Sequence, residues 1–259
     1  MDVRKGNPRV NWAKMQQMTT QAKQQGGHMV VFPELWDAGF DLEKAKDFAS
    51  NLSGGLFAQV AALSKQQGIF ITGSMMEKRG LGICNTAPVV SPAAGVMGAY
   101  RKIHLFPLMR EDQYLTPGEA TLNIGLPWGQ TAMAICYDLR FPELFRRYAL
   151  EGAKIVILPC QWPEPRLAHF QTLLRARAIE NGMYIVAVNR IGSDVDELNG
   201  TETRFFGHSS VIDPWGEIVF EAGYTEGVFT VPIETDTVDE ARRAIPVLND
   251  RRPEVYGNL

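Results

Sequence analysis

Short apolar runs alternate with longer segments of helical periodicity along most of the chain. The apolar runs HMVVF, IFITGS, TAMAIC, KIVILPC and MYIVAVNR are typical of buried strands. The neighbouring segments predict helices, and each closes on glycine, a common residue just past a helix end: NWAKMQQMTTQAKQQGG, LFAQVAALSKQQG, PELFRRYALEG and EPRLAHFQTLLRARAIENG. Strands separated by helices predict a layered α/β fold.

Two further stretches predict hairpins, which bring antiparallel pairs into the sheets. NTAPVVSPAAGVMGAYRK joins two apolar runs through a turn with proline and glycine, and SSVIDPWGEIVFEAG turns at residues 213–216. GVFTVPI predicts a last strand, while the polar GSDVDELNGTETR predicts a long surface loop. Hairpins combined with helix-linked strands indicate mixed sheets. Because no repeat or linker-like change of composition interrupts the pattern, we expect residues 1–259 to form one domain.

Composition and charge argue against two classes of binding partner, nucleic acids and membranes. The chain has 259 residues, of which 45% are apolar and 21% charged, so it can bury a sizeable core. A net charge of −3 and the absence of a Lys/Arg block argue against a nucleic-acid partner. No apolar run is long enough to span a bilayer, so we expect no membrane partner.

Cysteine usage favours the cytoplasm. Three cysteines, an odd number with no CxxC pair, fit a reducing compartment and do not suggest a disulfide framework. The opening MDVRKGNPRVNW carries charges with no apolar stretch behind them, so we do not expect a signal peptide.

Several candidate reactive residues come directly after apolar runs. Glu34 follows MVVFP, Cys136 follows AMAI, and Cys160, Gln161 and Trp162 follow IVILP. Ligands bind beyond the carboxyl ends of strands in open α/β sheets, so an acid and a thiol could converge there. From the residues alone, two other interpretations stay open. Glu34 could be a solvated loop carboxylate, and Cys136 could be one more buried strand residue.

Lys102 lies in YRKIHLF, where the flanking tyrosine, isoleucine, leucine and phenylalanine make the segment look buried. Buried lysine is rare unless a carboxylate pairs with it, and Glu34 and Glu111 are the candidates. The alternative is that Lys102 extends its ammonium to solvent past apolar neighbours.

Other classes of chemistry find little support. The four histidines, His28, His104, His169 and His208, are scattered, and no His pair or Cys/His cluster has the spacing of a metal site. The GxSxG, P-loop and dinucleotide fingerprints are also absent from the sequence. We therefore expect no metal and no cofactor.

Four segments in order resemble the nitrilase superfamily of carbon–nitrogen hydrolases: FPELWDAGFD, YRKIHLF with MRED, AICYDLRFPELFR, and RARAIENGMYIVAVNR. The resemblance spans nearly the whole chain. It implies a four-layer αββα sandwich that commonly forms homodimers, and a catalytic set carried here by Glu34, Lys102 and Cys136. A second family glutamate matches Glu111.

The implied reaction assigns a role to each of these residues. Glu34 takes the thiol proton, and Cys136 attacks the carbonyl carbon of a small-molecule amide to give a thioester. Lys102 and the backbone N–H of Tyr137 stabilise the oxyanion. Glu111 keeps Lys102 charged and oriented.

Within the superfamily, FFGHSSVIDPWG and AIPVLNDRRPEVYG resemble the ω-amidase branch that acts on 2-oxoglutaramate. Such a substrate carries a carboxylate, and Arg166 is the candidate to bind it through two parallel hydrogen bonds. Gln161, Trp162 and Phe206 are expected to complete the substrate pocket. Surface exposure of Arg166 and core packing of the two aromatic residues are the alternatives.

The resemblance leaves other functions open. A nitrilase, an N-carbamoyl amidase or an aliphatic amidase would share the same reactive residues, and a non-catalytic dimeric scaffold would share the fold. The family also begins with a short apolar strand just before the segment that matches DVRKGNP. We expect that strand to be missing upstream of Met1, which would leave an unpaired sheet edge and a void.

Overall fold

The structure is a computed structural model that describes residues 1–195 and 200–257. Its strands are β1 (Met29–Val31), β2 (Phe70–Thr72), β3 (Met75–Arg79), β4 (Gly82–Ser91), β5 (Gly95–Arg101), β6 (Asn123–Leu126), β7 (Gly129–Met133), β8 (Ile155–Cys160), β9 (Tyr184–Asn189), β10 (Ile191–Val195), β11 (Glu202–Phe206), β12 (Ser210–Ile212) and β13 (Ile218–Glu221). Its α-helices are α1 (Pro8–Gln24), α2 (Ala45–Phe48), α3 (Gly55–Gln67), α4 (Glu111–Tyr114), α5 (Pro142–Leu150), α6 (Leu167–Asn181), α7 (Asp236–Ala244) and α8 (Pro253–Tyr256). None of these described helices combines the length and the apolar character needed to cross a membrane.

Eleven of the thirteen described strands form two mixed sheets, and β10 and β11 form a separate two-stranded ribbon. The first has five strands, in the order β1-β2-β4-β3, with β5 paired to β4. The second has six strands, in the order β13-β12-β9-β8-β7-β6. Three pairs are parallel: β1 with β2, β7 with β8, and β8 with β9. The two predicted hairpins form the antiparallel pairs β4–β5 and β12–β13.

The alternation of side chains along β1 explains why the sheets stack. Val30 packs on the outer side against Met15 of α1 and Phe57 of α3. Its neighbours Met29 and Val31 point the other way and pack against the core of the second sheet. Helices α5 and α6 cover the outer face of that second sheet. The layers therefore run helix, sheet, sheet, helix, which confirms the predicted αββα sandwich. The homodimer implied by the resemblance stays a prediction.

Helix α1 begins earlier than the apolar pattern suggested. Pro8 occupies its first turn, where its missing N–H costs nothing, and the Asn7 side chain accepts a hydrogen bond from the N–H of Val10 at 3.3 Å. At the other ends, Gly68 and Gly182 close α3 and α6 with positive φ angles of 63° and 54°, as the glycine pattern predicted.

Two segments differ from their predicted structure. The surface loop predicted over residues 192–204 instead contributes to the antiparallel ribbon β10–β11, which also includes Ile191, Phe205 and Phe206. Residues 196–199 of that loop lie outside the described part of the chain. GVFTVPI, predicted as a strand, has no regular secondary structure. Its apolar pattern suits a strand, but no strand of the described residues pairs with it.

The free edge of β1 borders an apolar cavity. Among the described strands β1 pairs only with β2, and a cavity of about 570 Å³ lies beside it, lined by residues of β9 and β12 and by residues 227–235.

One glycine lets two segments approach at the position of Lys102. The N–H of Gly118 donates to the Lys102 carbonyl at 2.8 Å, and a Cβ at Gly118 would lie 2.1 Å from the Arg101 carbonyl oxygen. That oxygen belongs to the backbone and cannot rotate away. Gly118 therefore holds the end of β5 against the segment that follows α4.

We expect Gly118→Ala to destabilise the fold by about 2 kcal/mol or more, because the new methyl overlaps backbone. The melting temperature measured by calorimetry should then fall by about 4–8 °C. Gly223→Ala is the matched control, since nothing lies within 4 Å of its added Cβ and its φ needs no glycine. Equal melting temperatures for the two variants would contradict this interpretation.

Candidate active site

The predicted reactive residues lie where strands of the two sheets end. Glu34 follows β1, Lys102 follows β5, and Cys136 follows β7, while Glu111 opens the short helix α4. The N–H of Glu34 donates to the carbonyl of Cys160, the last residue of β8, at 3.4 Å. The carboxyl ends of a strand in each sheet therefore meet at this point, as the sequence pattern predicted.

Lys102 is fully buried between two carboxylates. Its ammonium lies 2.8 Å from Oε1 of Glu34 and 2.6 Å from Oε2 of Glu111, and all three side chains have no exposed area. The side-chain amide of Asn85 donates to Glu34 at 2.8 Å and more weakly to Glu111 at 3.4 Å. This geometry excludes the alternative in which Lys102 reaches solvent. The buried charges satisfy one another through direct hydrogen bonds.

The charges in this cluster shift the pKa values of its members. Burial by itself would lower the pKa of Lys102, but the carboxylates of Glu111 and Glu34 outweigh it and hold that pKa well above its ordinary value. Lys102 therefore stays an ammonium. Burial raises the pKa of Glu111, against the opposing pull of Lys102. With both carboxylates ionised, the cluster would carry a net charge of −1.

Cys136 occupies a strained turn. Its φ angle is +47°, in the left-handed region that a residue with a Cβ rarely adopts, and it opens a short 3-10 helix, Cys136–Arg140. The residue is only 8% exposed. A reactive residue on a sharp turn after a strand presents its side chain beyond the sheet, where a ligand can reach it.

The surroundings of the Cys136 thiol favour its protonated form. Burial is the main cause that raises its pKa well above the ordinary value, and a hydrogen bond with the Cys160 thiol and the nearby Glu34 charge add to the effect. Lys102 pulls the other way, but two carboxylates already balance its charge. Any attack by this sulfur therefore requires a base to take the proton.

Strained backbone also occurs beside the two glutamates. Leu35, directly after Glu34, has a φ angle of +42°, and Arg110, directly before Glu111, has +60°. The first turn is held by Ser74, whose Oγ accepts from the N–H of Leu35 at 2.8 Å. Strain of this kind persists only where surrounding contacts enforce it, and it is common at functional sites.

Gln161 holds Glu34 from the side of the second sheet. Its backbone N–H donates to Oε2 of Glu34 at 3.1 Å, and its side-chain amide donates to the Glu34 carbonyl. Its own side-chain oxygen accepts from Arg190 at 3.0 Å, and Arg190 is in turn paired with Asp194 at 2.8 Å. Gln161 is 1% exposed. The structure thus places Gln161 behind the glutamate, a role that the sequence did not indicate.

Trp162 and Phe206 are both buried in the core beside the site. The indole N–H of Trp162 donates to the Cys136 carbonyl at 3.2 Å, so this side chain stabilises the strained turn. Phe206 is fully buried and packs against Phe170, with ring centroids 5.4 Å apart. These positions favour core packing, the alternative considered from the sequence.

Arg166 lines a cavity of about 390 Å³. Its guanidinium lies 6.0 Å from the ring centroid of Phe106, which also lines this cavity. The N–H of Phe106 donates to Glu111 at 2.7 Å, and its ring lies 4.7 Å from that of Tyr137. Among the described residues, no acidic side chain forms an ion pair with Arg166, so its charge is available at the cavity.

A second cation at the same cavity was missed from the sequence. Arg204 of β11 lines it as well, but Glu202 already binds its guanidinium at 3.0 Å. Asn85 was also missed as a neighbour of the reactive groups. The only signal for it in the sequence was an asparagine just before the apolar run of β4. In the part of the chain that the structure describes, no group of three or more potential ligands could hold a metal ion.

Known proteins match this chain over most of its length. The carbon–nitrogen hydrolase family model matches residues 1–243. The 2-oxoglutaramate amidase of Bacillus subtilis is 34% identical over 98% of this chain and 96% of its own length. A hydrolase in the agr operon of Staphylococcus lugdunensis is 40% identical over 88% of this chain and 96% of its own length.

A solved structure shows the same architecture. A mutant of the amidase from Nesterenkonia sp. AN1, with acrylamide added at its active site cysteine, superposes with a TM-score of 0.84. It is 25% identical, and the match covers 98% of this chain and 95% of that one. The chain therefore belongs to the carbon–nitrogen hydrolase family, and it is a carbon–nitrogen hydrolase of the nitrilase superfamily.

Proposed function

We propose that this hydrolase cleaves a linear amide through a thioester on Cys136 and releases ammonia. The observation that carries the proposal is the burial of Lys102 between Glu34 and Glu111, with N–O distances of 2.8 and 2.6 Å, in the same site as a thiol on a strained turn. A scaffold would gain nothing from burying a lysine and two carboxylates, which are costly to desolvate.

The first half-reaction forms the thioester. Glu34 takes the proton of the Cys136 thiol as the sulfur attacks the carbonyl carbon, so a C–S bond forms and the oxygen becomes an oxyanion. Oε2 of Glu34 accepts one hydrogen bond from Gln161, which leaves its second lone pair for that proton. The oxyanion is stabilised by the Lys102 ammonium and by the N–H of Tyr137, a first-turn donor without a partner inside its short helix.

Collapse of the tetrahedral intermediate then breaks the C–N bond. Glu34 returns its proton to the departing nitrogen, so neutral ammonia leaves and Glu34 is again a carboxylate. In the second half-reaction Glu34 takes a proton from water, which attacks the thioester. The acid product leaves, and the proton held on Glu34 restores the thiol. Glu111 does not exchange protons with substrate but keeps the ammonium of Lys102 in place.

The substrate class we propose is the ω-amide of a 2-oxo dicarboxylic acid, such as 2-oxoglutaramate. Arg166 supports it, because its guanidinium lines the cavity next to Phe106 with no described carboxylate paired to it. A planar guanidinium can bind the far carboxylate of such a substrate through two parallel hydrogen bonds. The name of the Bacillus subtilis relative, 2-oxoglutaramate amidase, points to the same class.

We expect Cys136→Ala to release ammonia from amides at less than about one thousandth of the wild-type rate, because the nucleophile is gone. Cys84→Ala is the control. It removes another buried thiol, from β4, that takes no part in the proposed reaction. The assay measures ammonia, and circular dichroism checks that both variants fold. Ammonia release by folded Cys136→Ala above that level would contradict the mechanism.

We expect Arg166→Gln to raise KM for 2-oxoglutaramate by about 10- to 100-fold, the loss typical of a charge-assisted hydrogen bond of about 1.5–3 kcal/mol. Hydrolysis of an aliphatic amide without a carboxylate should change by less than about twofold, because that substrate makes no use of the guanidinium. Arg147→Gln, which removes an exposed arginine of α5 paired with Glu151, is the matched control.

Arg204→Gln decides between the two cations at the cavity. If KM rises for Arg204→Gln and not for Arg166→Gln, the assignment of Arg166 is wrong. If neither variant changes KM for 2-oxoglutaramate, the proposed substrate class fails, while the thioester mechanism stands on the Cys136 result.

A further inference from the structure

The carboxylate of Asp138, two residues after Cys136, accepts four hydrogen bonds inside the protein. Oδ2 accepts from the hydroxyl of Tyr100 at 2.7 Å and from the N–H of Ile135 at 2.8 Å. Oδ1 accepts from the N–H of His104 at 3.1 Å and contacts Nδ1 of the same residue at 2.7 Å. Asp138 is fully buried. No lysine or arginine of the described chain pairs with it.

These donors come from two segments that the chain keeps far apart. Tyr100 and His104 lie on either side of Lys102, at the end of β5 in the first sheet. Ile135 directly precedes Cys136, after β7 of the second sheet. A single carboxylate thus ties the segment that carries the ammonium to the turn that carries the thiol. This connection crosses the interface between the two sheets.

The His104 ring strengthens the connection. Because Oδ1 of Asp138 is an acceptor, Nδ1 of His104 must carry the proton that lies between them. The ring stacks on Phe141 with a centroid distance of 3.6 Å and an interplanar angle of 7°. Phe141 follows the short 3-10 helix that begins at Cys136. Residues on both sides of the strained turn are therefore held against the segment of Lys102.

A strained turn needs such a constraint. The φ of +47° at Cys136 is unfavourable by itself and persists only if its surroundings enforce it. Hydrogen bonds that a carboxylate accepts are about twice as strong as neutral ones. Without the Asp138 carboxylate, the hydroxyl of Tyr100, the N–H of Ile135, and the backbone and ring N–H groups of His104 would lose their acceptor. Each donor left unsatisfied lowers the stability of the fold. The carboxylate of Asp138 is thus suited to fix one position of Cys136 relative to Lys102.

We propose that Asp138 is a positioning residue: it sets the location of the Cys136 turn relative to Lys102, so that the oxyanion forms within reach of the ammonium. This inference rests on the proposed function. Asp138 touches neither substrate nor the reacting atoms, and it acts through the two segments that it joins. Asp138 therefore stabilises the transition state, in which thiol, carbonyl and ammonium must be aligned. It does not contribute to substrate binding.

The test is the Asp138→Asn variant, which keeps the size of the side chain but replaces one acceptor oxygen by an amide donor. We expect kcat on the amide substrate to fall by about 30- to 100-fold, since misplacement of a reacting group by about 1 Å costs on the order of 100-fold. KM should stay within about threefold, because the cavity of Arg166 is untouched.

Glu77→Gln is the matched control. Glu77 is another buried carboxylate of the first sheet, 3% exposed, and it accepts from Arg101 at 2.7 Å and from Thr86 at 2.8 Å. It has no contact with the turn of Cys136. If the loss in Asp138→Asn came only from weakening a buried network, Glu77→Gln would lose kcat to the same extent at a similar melting temperature. We expect it to retain kcat within about threefold.

Two results would overturn the inference. One is a folded Asp138→Asn with kcat within about threefold of wild type, and the other is an equal loss of kcat in Glu77→Gln. If Asp138→Asn does not fold, Tyr100→Phe and His104→Gln each weaken one side of the connection. Lower kcat at constant KM in both supports the inference, and unchanged kcat in both overturns it.

A different set of results would contradict the proposed function. Wild-type protein that releases no ammonia from any amide, or Cys136→Ala that releases it normally, overturns the mechanism and this inference with it. An active wild type, an inactive Cys136→Ala and an unaffected Asp138→Asn would overturn only the role of Asp138.

Discussion

The ion pairs of Lys102 with Glu34 and Glu111 are the constraint on which the rest of the site depends. An ammonium without exposed area is tolerated only because two carboxylates lie within 2.8 Å of it, and losing one partner of a buried pair typically costs about 3–5 kcal/mol. Burial is the main cause that keeps the pKa of Cys136 high, and the Glu34 charge adds to it against the opposing pull of Lys102. In the proposed mechanism, the site therefore combines a neutral nucleophile with a nearby base, and the charge that stabilises the oxyanion is already in place.

A frame of buried polar groups keeps these charges at fixed positions. Gln161 holds Glu34 from the second sheet, and Arg190 holds Gln161. Asn85 joins the two glutamates, and Asp138 joins the segments of Lys102 and Cys136. Each of these groups lies between the sheets or at their ends, so the sandwich brings together residues from distant parts of the chain. Preorganised polar groups of this kind stabilise developing charge without rearrangement during the reaction.

The positions of Glu34 and Cys136 after apolar runs suggested that they converge, because carboxyl ends of strands meet in α/β sheets, but only the family resemblance assigned the full set with Lys102 and Glu111. The apolar neighbours of Lys102 indicated that it could be buried, but they did not exclude the alternative in which its ammonium reaches solvent. The role of Gln161 could not, since its partners Glu34 and Arg190 are 127 and 29 residues away. The ribbon formed by Ile191–Val195 and Glu202–Phe206 was missed because its polar composition is typical of loops. Phe206 was expected in the pocket, and an aromatic residue in the sequence does not distinguish a pocket wall from the core.

The most direct test of the central claim is the ionisation of Cys136 in the resting enzyme. The ultraviolet absorbance of thiolate, measured as the difference between wild type and Cys136→Ala while pH is raised, isolates this one sulfur. The account predicts no thiolate signal from about pH 7 to about pH 9, since burial and the neighbouring carboxylate keep the thiol protonated. A signal that is complete by about pH 7 would show a resting thiolate paired with Lys102, and would contradict the assignment of Glu34 as the base.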